Sequence, residues 1–309
     1  MSEAPEKKSF RSGMVSIVGR PNVGKSTLLN LLVGEKVAIV SKVPQTTRNK
    51  VRGIYRDERG QIVFIDTPGL VPGRDKLDHF LKKSSLETMH DVDCVIHLVD
   101  TSEPVGPEEE ELVRRLRTVK GPVLLGLNKI DLKGKFTHEY IELWEKVKGK
   151  PATEIGNLMP IILSGKTGVN TDDLLSLLFE RIPEGEALYP DDMVVDVPQK
   201  MMISDLIREK FLNILRQELP HSIAVFIEHM EPRSDKLTHI KALVMVEKES
   251  QKMIVIGKDG KVLKKVGTQA RREIEELIGT KVFLEIYVKV EKNWRDNDSV
   301  LFDLGYYGE

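Results

Sequence analysis

One cysteine in 309 residues, Cys94, rules out an internal disulfide and suits a reducing compartment. It lies in the apolar run from Val92 to Val99, so it reads as a buried thiol without a chemical role. No stretch approaches the ~20 apolar residues needed to span a bilayer. Residues 1–11 are short, polar and mixed in charge, without the apolar core of a secretory leader, and the chain is expected in the cytoplasm. Net charge is scarce too: the formal value of −1 gives no global attraction to nucleic acid, so any such footprint must be local. Otherwise 31% charged and 40% hydrophobic residues are ordinary globular composition, and the length suffices for two domains with sizeable cores.

What is present begins with Gly19-Arg20-Pro21-Asn22-Val23-Gly24-Lys25-Ser26, which fills G-x-x-x-x-G-K-S, with Thr27 next. The apolar run Met14–Val18 before it reads as a buried strand, and Thr27–Leu32 opens a helix. Such a loop turns successive N–H groups onto an anion at a helix N-terminus, so it binds polyphosphate. Lys25 would reach the outer phosphates, and the Ser26 hydroxyl would be one ligand of a Mg²⁺ that bridges two phosphate oxygens.

Strands are expected at Val51–Arg56 and at 61–65, the second ending in Asp66-Thr67-Pro68-Gly69-Leu70. An acid at the end of a strand beside the phosphate loop can hold Mg²⁺, usually through water, and Gly69 can offer its N–H to a terminal phosphate. The segment from Gly34 to Lys50, with its adjacent hydroxyls Thr46 and Thr47, suits a mobile loop able to reach a metal. Further strands at 93–100 and 122–127 flank an acid-first helix over 107–119. The second strand ends in Asn128-Lys129-Ile130-Asp131, a base reader. The Asp131 carboxylate accepts two hydrogen bonds from guanine, whereas adenine would set a lone pair against it. Asn128 would tie the base to the loops, and the Lys129 stem would cover the ring. After one more strand at 159–163, Ser164-Gly165-Lys166 places backbone N–H groups where they can meet the guanine carbonyl, ahead of a helix over 170–181.

These motifs, taken together in this order, resemble those of the translation-factor-like GTPases, and in particular the Era-related group, over residues 14–182. The departure is Gly165, where that group usually has alanine. The resemblance implies an α/β domain with a mostly parallel sheet and hydrolysis of GTP to GDP and phosphate. It also makes one hydroxyl of Thr46 and Thr47 the second Mg²⁺ ligand, Thr47 being preferred because it directly precedes Arg48. Leu70 stands where many small GTPases place a glutamine that orients water, so hydrolysis must be helped otherwise. Similar GTPases with asparagine at the position of Asn22 use it to bind K⁺, and a loop hydrogen bond is the alternative role. The expected catalytic set is therefore Lys25, Thr47, Gly69 and Asn22.

Residues 183–200, with three prolines and five acids, read as a linker between a tail (1–12) plus G domain (13–182) and a second domain (201–309). The second domain reads as a helix over 203–219, strands at 223–227 and 237–246, the segment 252–256, the turn Gly257-Lys258-Asp259-Gly260, a helix and a last strand over 282–290. G-x-x-G alone means nothing. Placed before a helix that starts with Lys261, Lys264 and Lys265, it lets a nucleic-acid backbone pass over a turn free of bulk. Asp259 runs against this, since a carboxylate there repels phosphate. The order resembles the bacterial-type KH domain, a smaller α+β fold. The two resemblances together imply an Era-type protein that binds the 3′ region of small-subunit ribosomal RNA and assists maturation of the small ribosomal subunit. They also imply peripheral association with the inner membrane, for which the residues themselves offer no amphipathic basic helix or lipidation site. Two other readings stay open: an ATP-driven RNA remodeller, against which Asn128–Asp131 argues, and an RNA-binding protein whose nucleotide is only structural.

Overall fold

The computed structural model describes residues 10–41, 43, 46–69, 73–215 and 219–306; Leu70 therefore lies outside the described residues. These fall into two compact units that are not contiguous in sequence. The first takes residues 10–38, 50–69 and 82–196; the second takes the described residues of 39–49, then 73–81 and those from 197 onward.

The elements of the first unit are β1 (Arg11–Val18), α1 (Lys25–Val33), β2 (Val51–Asp57), β3 (Gly60–Asp66), α2 (Lys76–Glu87, whose first residues belong to the second unit), β4 (Cys94–Asp100), α3 (Pro107–Leu116), β5 (Val123–Asn128), α4 (Thr137–Lys148), β6 (Leu158–Ile162), α5 (Thr171–Arg181) and β7 (Val195–Asp196). The sheet runs β6-β5-β4-β1-β3-β2-β7. β1 is parallel to β3 and β4, and β5 to β4 and β6, while β2 and β7 add an antiparallel edge. Every residue of β3, β4 and β5 is buried, as expected of strands covered on both faces. Leu112, Val113 and Leu116 of α3 and Tyr140, Leu143 and Trp144 of α4 pack with Val95 and Val99 on one of those faces. Cys94 is buried, and burial pushes its thiol up to about 12, in keeping with an inert role.

Residues 183–196 are not a free linker. Ser12 Oγ donates to the Glu186 carbonyl, Gln61 Nε2 donates to the Tyr189 carbonyl at 2.9 Å, and Gln61 Oε1 accepts from the amides of Leu188 and Tyr189 at 2.8 and 2.9 Å. β7 then pairs with β2, and Arg52 meets Asp196 at 3.0 Å. The acids that mark this stretch as solvated serve in part as partners for the arginines of β2, and the first unit ends at Asp196 rather than Ile182.

The second unit contains α6 (Gln199–Ile214), β8 (Ala224–Ser234), β9 (Leu237–Val246), α7 (Glu249–Ile256), α8 (Lys261–Ile278), β10 (Lys281–Val290) and α9 (Asp298–Asp303). Its sheet has the order β10-β9-β8, with β9 parallel to β10 and antiparallel to β8. α6 starts and ends earlier than its apolar stripe suggests: Pro198 precedes it, and Leu215 has left helical geometry. Ile203, Ile207 and Phe211 of α6 and Val266, Ala270 and Ile274 of α8 close over Ile240, Ala242 and Val244. A separate cluster gathers Ala224, Met245, Leu301 and Leu304 around fully buried Trp294, together with Leu77 and Leu81. No helix among the described residues is long and apolar enough to cross a membrane.

Candidate functional site

In the first unit β1 ends at Val18, and the chain turns through Gly19–Gly24 into α1, whose N-cap Gly24 has φ 106°. Asn22 holds φ 64°, a left-handed conformation that asparagine tolerates better than most residues. The Lys25 side chain is buried and folds back on the loop, its ammonium donating to the carbonyls of Gly19 at 3.1 Å and Arg20 at 2.9 Å. Burial lowers that ammonium below the ordinary lysine value, against the opposing pull of Asp66 and Glu109. Pro21 and Val23 complete the loop, and Thr27 follows in the first turn of α1, half-buried.

Parallel pairing of β1 with β3 carries Asp66 to the mouth of this loop, and Ser26 Oγ donates to Asp66 Oδ2 at 2.6 Å. Thr67 is structural: its hydroxyl donates to the Ile17 carbonyl at 3.0 Å, and the Pro68 carbonyl accepts from Ser85 Oγ at 2.7 Å. Gly69 lies close against the loop, since a β-carbon there would come within 2.8 Å of the Pro21 nitrogen.

The base-reading segments converge through Asn128. Its amide donates to the Val23 carbonyl at 2.7 Å and its oxygen accepts from the Gly165 amide at 2.8 Å, so one side chain joins the phosphate loop to the loop after β6. Ser164 is buried, and its hydroxyl donates to Asp131 Oδ1 at 2.7 Å, which orients an otherwise exposed carboxylate. Lys129 has φ 63° and reaches Asp100 Oδ2 at 2.5 Å; Lys129 and Ser102 hold the Asp100 carboxyl below its usual range although burial works the other way. The glycine at 165 has a local cause, because an added methyl would meet Leu28 Cβ at 3.1 Å, tighter than ordinary contact. Ile130 is half-buried between Lys129 and Asp131, and Lys166 points to solvent.

The surroundings of two further expected residues, Arg20 and Thr47, were not legible in the motifs. The Arg20 side chain turns into the domain, onto Glu109 at 2.6 Å and the Tyr140 hydroxyl at 3.0 Å. Thr47 belongs to the second compact unit, where it is buried. Its neighbour Arg48 donates to the carbonyls of Ile223 at 2.8 Å and His221 at 2.9 Å and lies over the Trp294 ring; burial lowers its guanidinium to about 10. Within the first unit the structure brings Ser26 and Asp66 together. Glu109, Asp100 and Tyr140 were not legible as site residues, because an acid in the first turn of a helix reads as dipole compensation and a buried tyrosine as core.

In the second unit the G-x-x-G turn lies between α7 and α8. Gly257 has φ 74°, Asp259 φ 53° and Gly260 φ 72°, so the aspartate sits in left-handed backbone. Lys258, Lys261, Lys264 and Lys265 are exposed, and none makes an ion pair among the described residues. Met253 and Ile254 on α7 are exposed beside them. Among the described residues no group of three or more His, Cys, Asp or Glu forms a metal cluster. A phosphate-loop cation is held mainly by one hydroxyl, one carboxylate and the nucleotide.

A phosphate loop opening a helix, a hydroxyl–carboxylate pair beside it and a guanine-reading carboxylate on the neighbouring loop define a P-loop GTPase, here carrying a KH-type unit. Two family models match accordingly, a 50S ribosome-binding GTPase over residues 14–129 and a KH domain over residues 218–295. The GTPase Era of Carboxydothermus hydrogenoformans is 42% identical over 96% of this chain and 98% of its own, and that of Halothermothrix orenii 42% over 97% and 100%. The chain belongs to the Era family of GTPases. Two similar solved structures are Era in complex with MgGDPNP and nucleotides 1506–1542 of 16S ribosomal RNA (35% identity, TM-score 0.88, 96% of this chain and 99% of that one) and a variant of Aquifex aeolicus Era bound to GDP and AlF4⁻ (36%, 0.87, 96% and 99%).

Proposed function

We propose that this GTPase is a switch that binds the 3′ region of small-subunit ribosomal RNA through the Gly257–Gly260 turn and assists maturation of the small ribosomal subunit in the cytoplasm. The observation that carries the nucleotide half is the convergence of Ser26, Asp66, Asn128 and Asp131 on the loops around Lys25. The RNA half is supported by the exposed lysines at that turn and by the related Era solved with a 16S fragment. The donor set suits Mg²⁺: a hydroxyl and a carboxylate oxygen 2.6 Å apart are hard oxygen ligands of the kind it takes. Ser26 and Asp66 would hold it, with Thr47 the further ligand expected from sequence, and bound there it would neutralise charge on the phosphates. Lys25 then meets the outer phosphates, Gly69 offers its N–H to the terminal one, and Asp131 and the Gly165 loop fix the base. Titrating GTP, GDP and ATP with and without the small-subunit 3′ RNA tests this. Guanine nucleotides should bind at least ~10²-fold tighter than ATP. RNA and a GTP analogue should tighten one another by the same factor. RNA affinity identical with GDP and the analogue would leave two independent binding modules.

We also propose a K⁺ beside the phosphates, on the resemblance at Asn22, an exposed residue of the phosphate loop; it would supply the positive charge that an arginine finger supplies elsewhere. Steady-state hydrolysis should then rise on the order of tenfold in K⁺ over Na⁺ at matched ionic strength. Equal rates in both salts remove the cation.

A further inference from the structure

Arg20 occupies the second position of the phosphate loop, and its two ends serve different purposes. Its carbonyl accepts a hydrogen bond from Lys25 Nζ at 2.9 Å, so it helps set where that ammonium points. Its side chain leaves in the other direction, with Nε 2.6 Å from Glu109 Oε2 and Nη2 3.0 Å from the Tyr140 hydroxyl. Glu109, in the first turn of α3, has a side chain 0% exposed. A carboxylate so placed is costly unless it is paired and held. It is held from behind: His97 Nε2 lies 2.8 Å from Glu109 Oε1, and Trp144 Nε1 lies 3.1 Å from His97 Nδ1. Indole N–H can only donate, so Nδ1 of His97 accepts and its proton sits on Nε2, where it donates to Glu109. The carboxylate is thereby fixed by residues of β4 and α4 deep in the core, and Tyr140 donates its own proton to the carbonyls of Asp100 and Glu103, each at 3.0 Å.

We infer that Glu109 is a positioning residue for the GTPase site, acting through Arg20 to fix the loop carbonyl that orients Lys25. The inference rests on the phosphate-loop reading above and adds to it a residue that does not touch the nucleotide. A loop carbonyl anchored to the core is set before nucleotide arrives, so little ordering remains to be done on binding. Once the anchor is lost, Lys25 can turn off the phosphates. Because a phosphate-loop lysine meets phosphates common to GDP and GTP, both nucleotides should weaken together. The choice of base, made by Asp131 on another loop, should stay as it was.

The test is a double-mutant cycle with Arg20→Met and Glu109→Gln, reading GDP and GTP affinity by fluorescence and guanine preference by ATP competition. Each single variant is expected to weaken both nucleotides about tenfold, within the range of coupling seen between contacting residues. The double variant should be no weaker than either, with preference for guanine over adenine unchanged. Parental affinity in Arg20→Met, losses that add in the double variant, or a changed base preference would overturn the inference. Should Glu109→Gln not fold, as judged by circular dichroism, Arg20→Met alone decides: a tenfold loss supports the anchor and parental affinity overturns it. A parent chain that binds no GDP would instead sink the phosphate-loop reading, which failure of the anchor leaves standing.

Discussion

Asp131→Asn should weaken GTP binding by roughly 10³-fold or more and make xanthine nucleotides the better ligands. Ser164 donates to one carboxylate oxygen at 2.7 Å, which fixes the plane of the group and leaves acceptor capacity on both oxygens for the two guanine donors. An amide at that position sets an N–H₂ against the guanine amine, so one hydrogen bond is lost and a donor faces a donor. Xanthine carries a carbonyl in place of that amine and restores the match. The change is nearly isosteric and leaves the loop held by Asn128, so folding should be unaffected. Competition of labelled GDP against GTP and XTP reads the result directly. A variant that keeps parental GTP affinity would remove Asp131 from the base-reading role.

Reversing two charges at the other end of the chain should have the next largest effect. Lys258→Glu with Lys261→Glu is expected to weaken binding of the small-subunit 3′ RNA about 10²-fold at low salt and to lower its log–log salt slope by roughly 1.4, the release expected from two phosphate contacts on a single strand. Both lysines are exposed and neither forms an ion pair among the described residues, so their replacement removes no intramolecular partner seen there. Nucleotide affinity measured without RNA should stay parental. The left-handed Asp259 between them sharpens the expectation, because its carboxylate already offsets part of the local charge and leaves few cations to carry the contact. An unchanged salt slope in the double variant would place the RNA elsewhere.

Legibility of this fold followed how local the signal is. The phosphate loop and the base-reading tetrapeptide were readable because their chemistry is set by a few adjacent residues between a strand and a helix. The strand expected at 237–246 coincides with β9 to the residue, and the mostly parallel sheet is the one the resemblance implies. β1 extends three residues further back than its apolar run, through Arg11, Ser12 and Gly13, because pairing with Gly60–Ile62 and not side-chain character keeps it extended. α2 and α4 went unread: Lys76–Glu87 has a weak apolar stripe among charged residues, and Thr137–Lys148 buries only Tyr140, Leu143 and Trp144. Nor did anything in the chain distinguish Glu109 from Glu108, Glu110 and Glu111; only the fold shows which of four consecutive acids turns inward. The placing of Thr47 and Arg48 within the second unit was likewise invisible, since it depends on carbonyls some 170 residues away in the chain.

The short strand β7 has a consequence beyond holding residues 183–196 in place. A sheet that ended at β2 would present Val51–Asp57 as an open edge with unpaired amides, the kind of surface that recruits strands from other molecules. Two residues of β7, flanked by acids and prolines, cover that edge at Arg52 and Gly53 and offer little of their own to extend it. The same stretch also satisfies the buried Gln61 amide, so its loss would strand a polar group inside the sheet. What reads as a spacer covers part of a sheet edge, and a shortened first unit would have to run to Asp196 to keep that pairing.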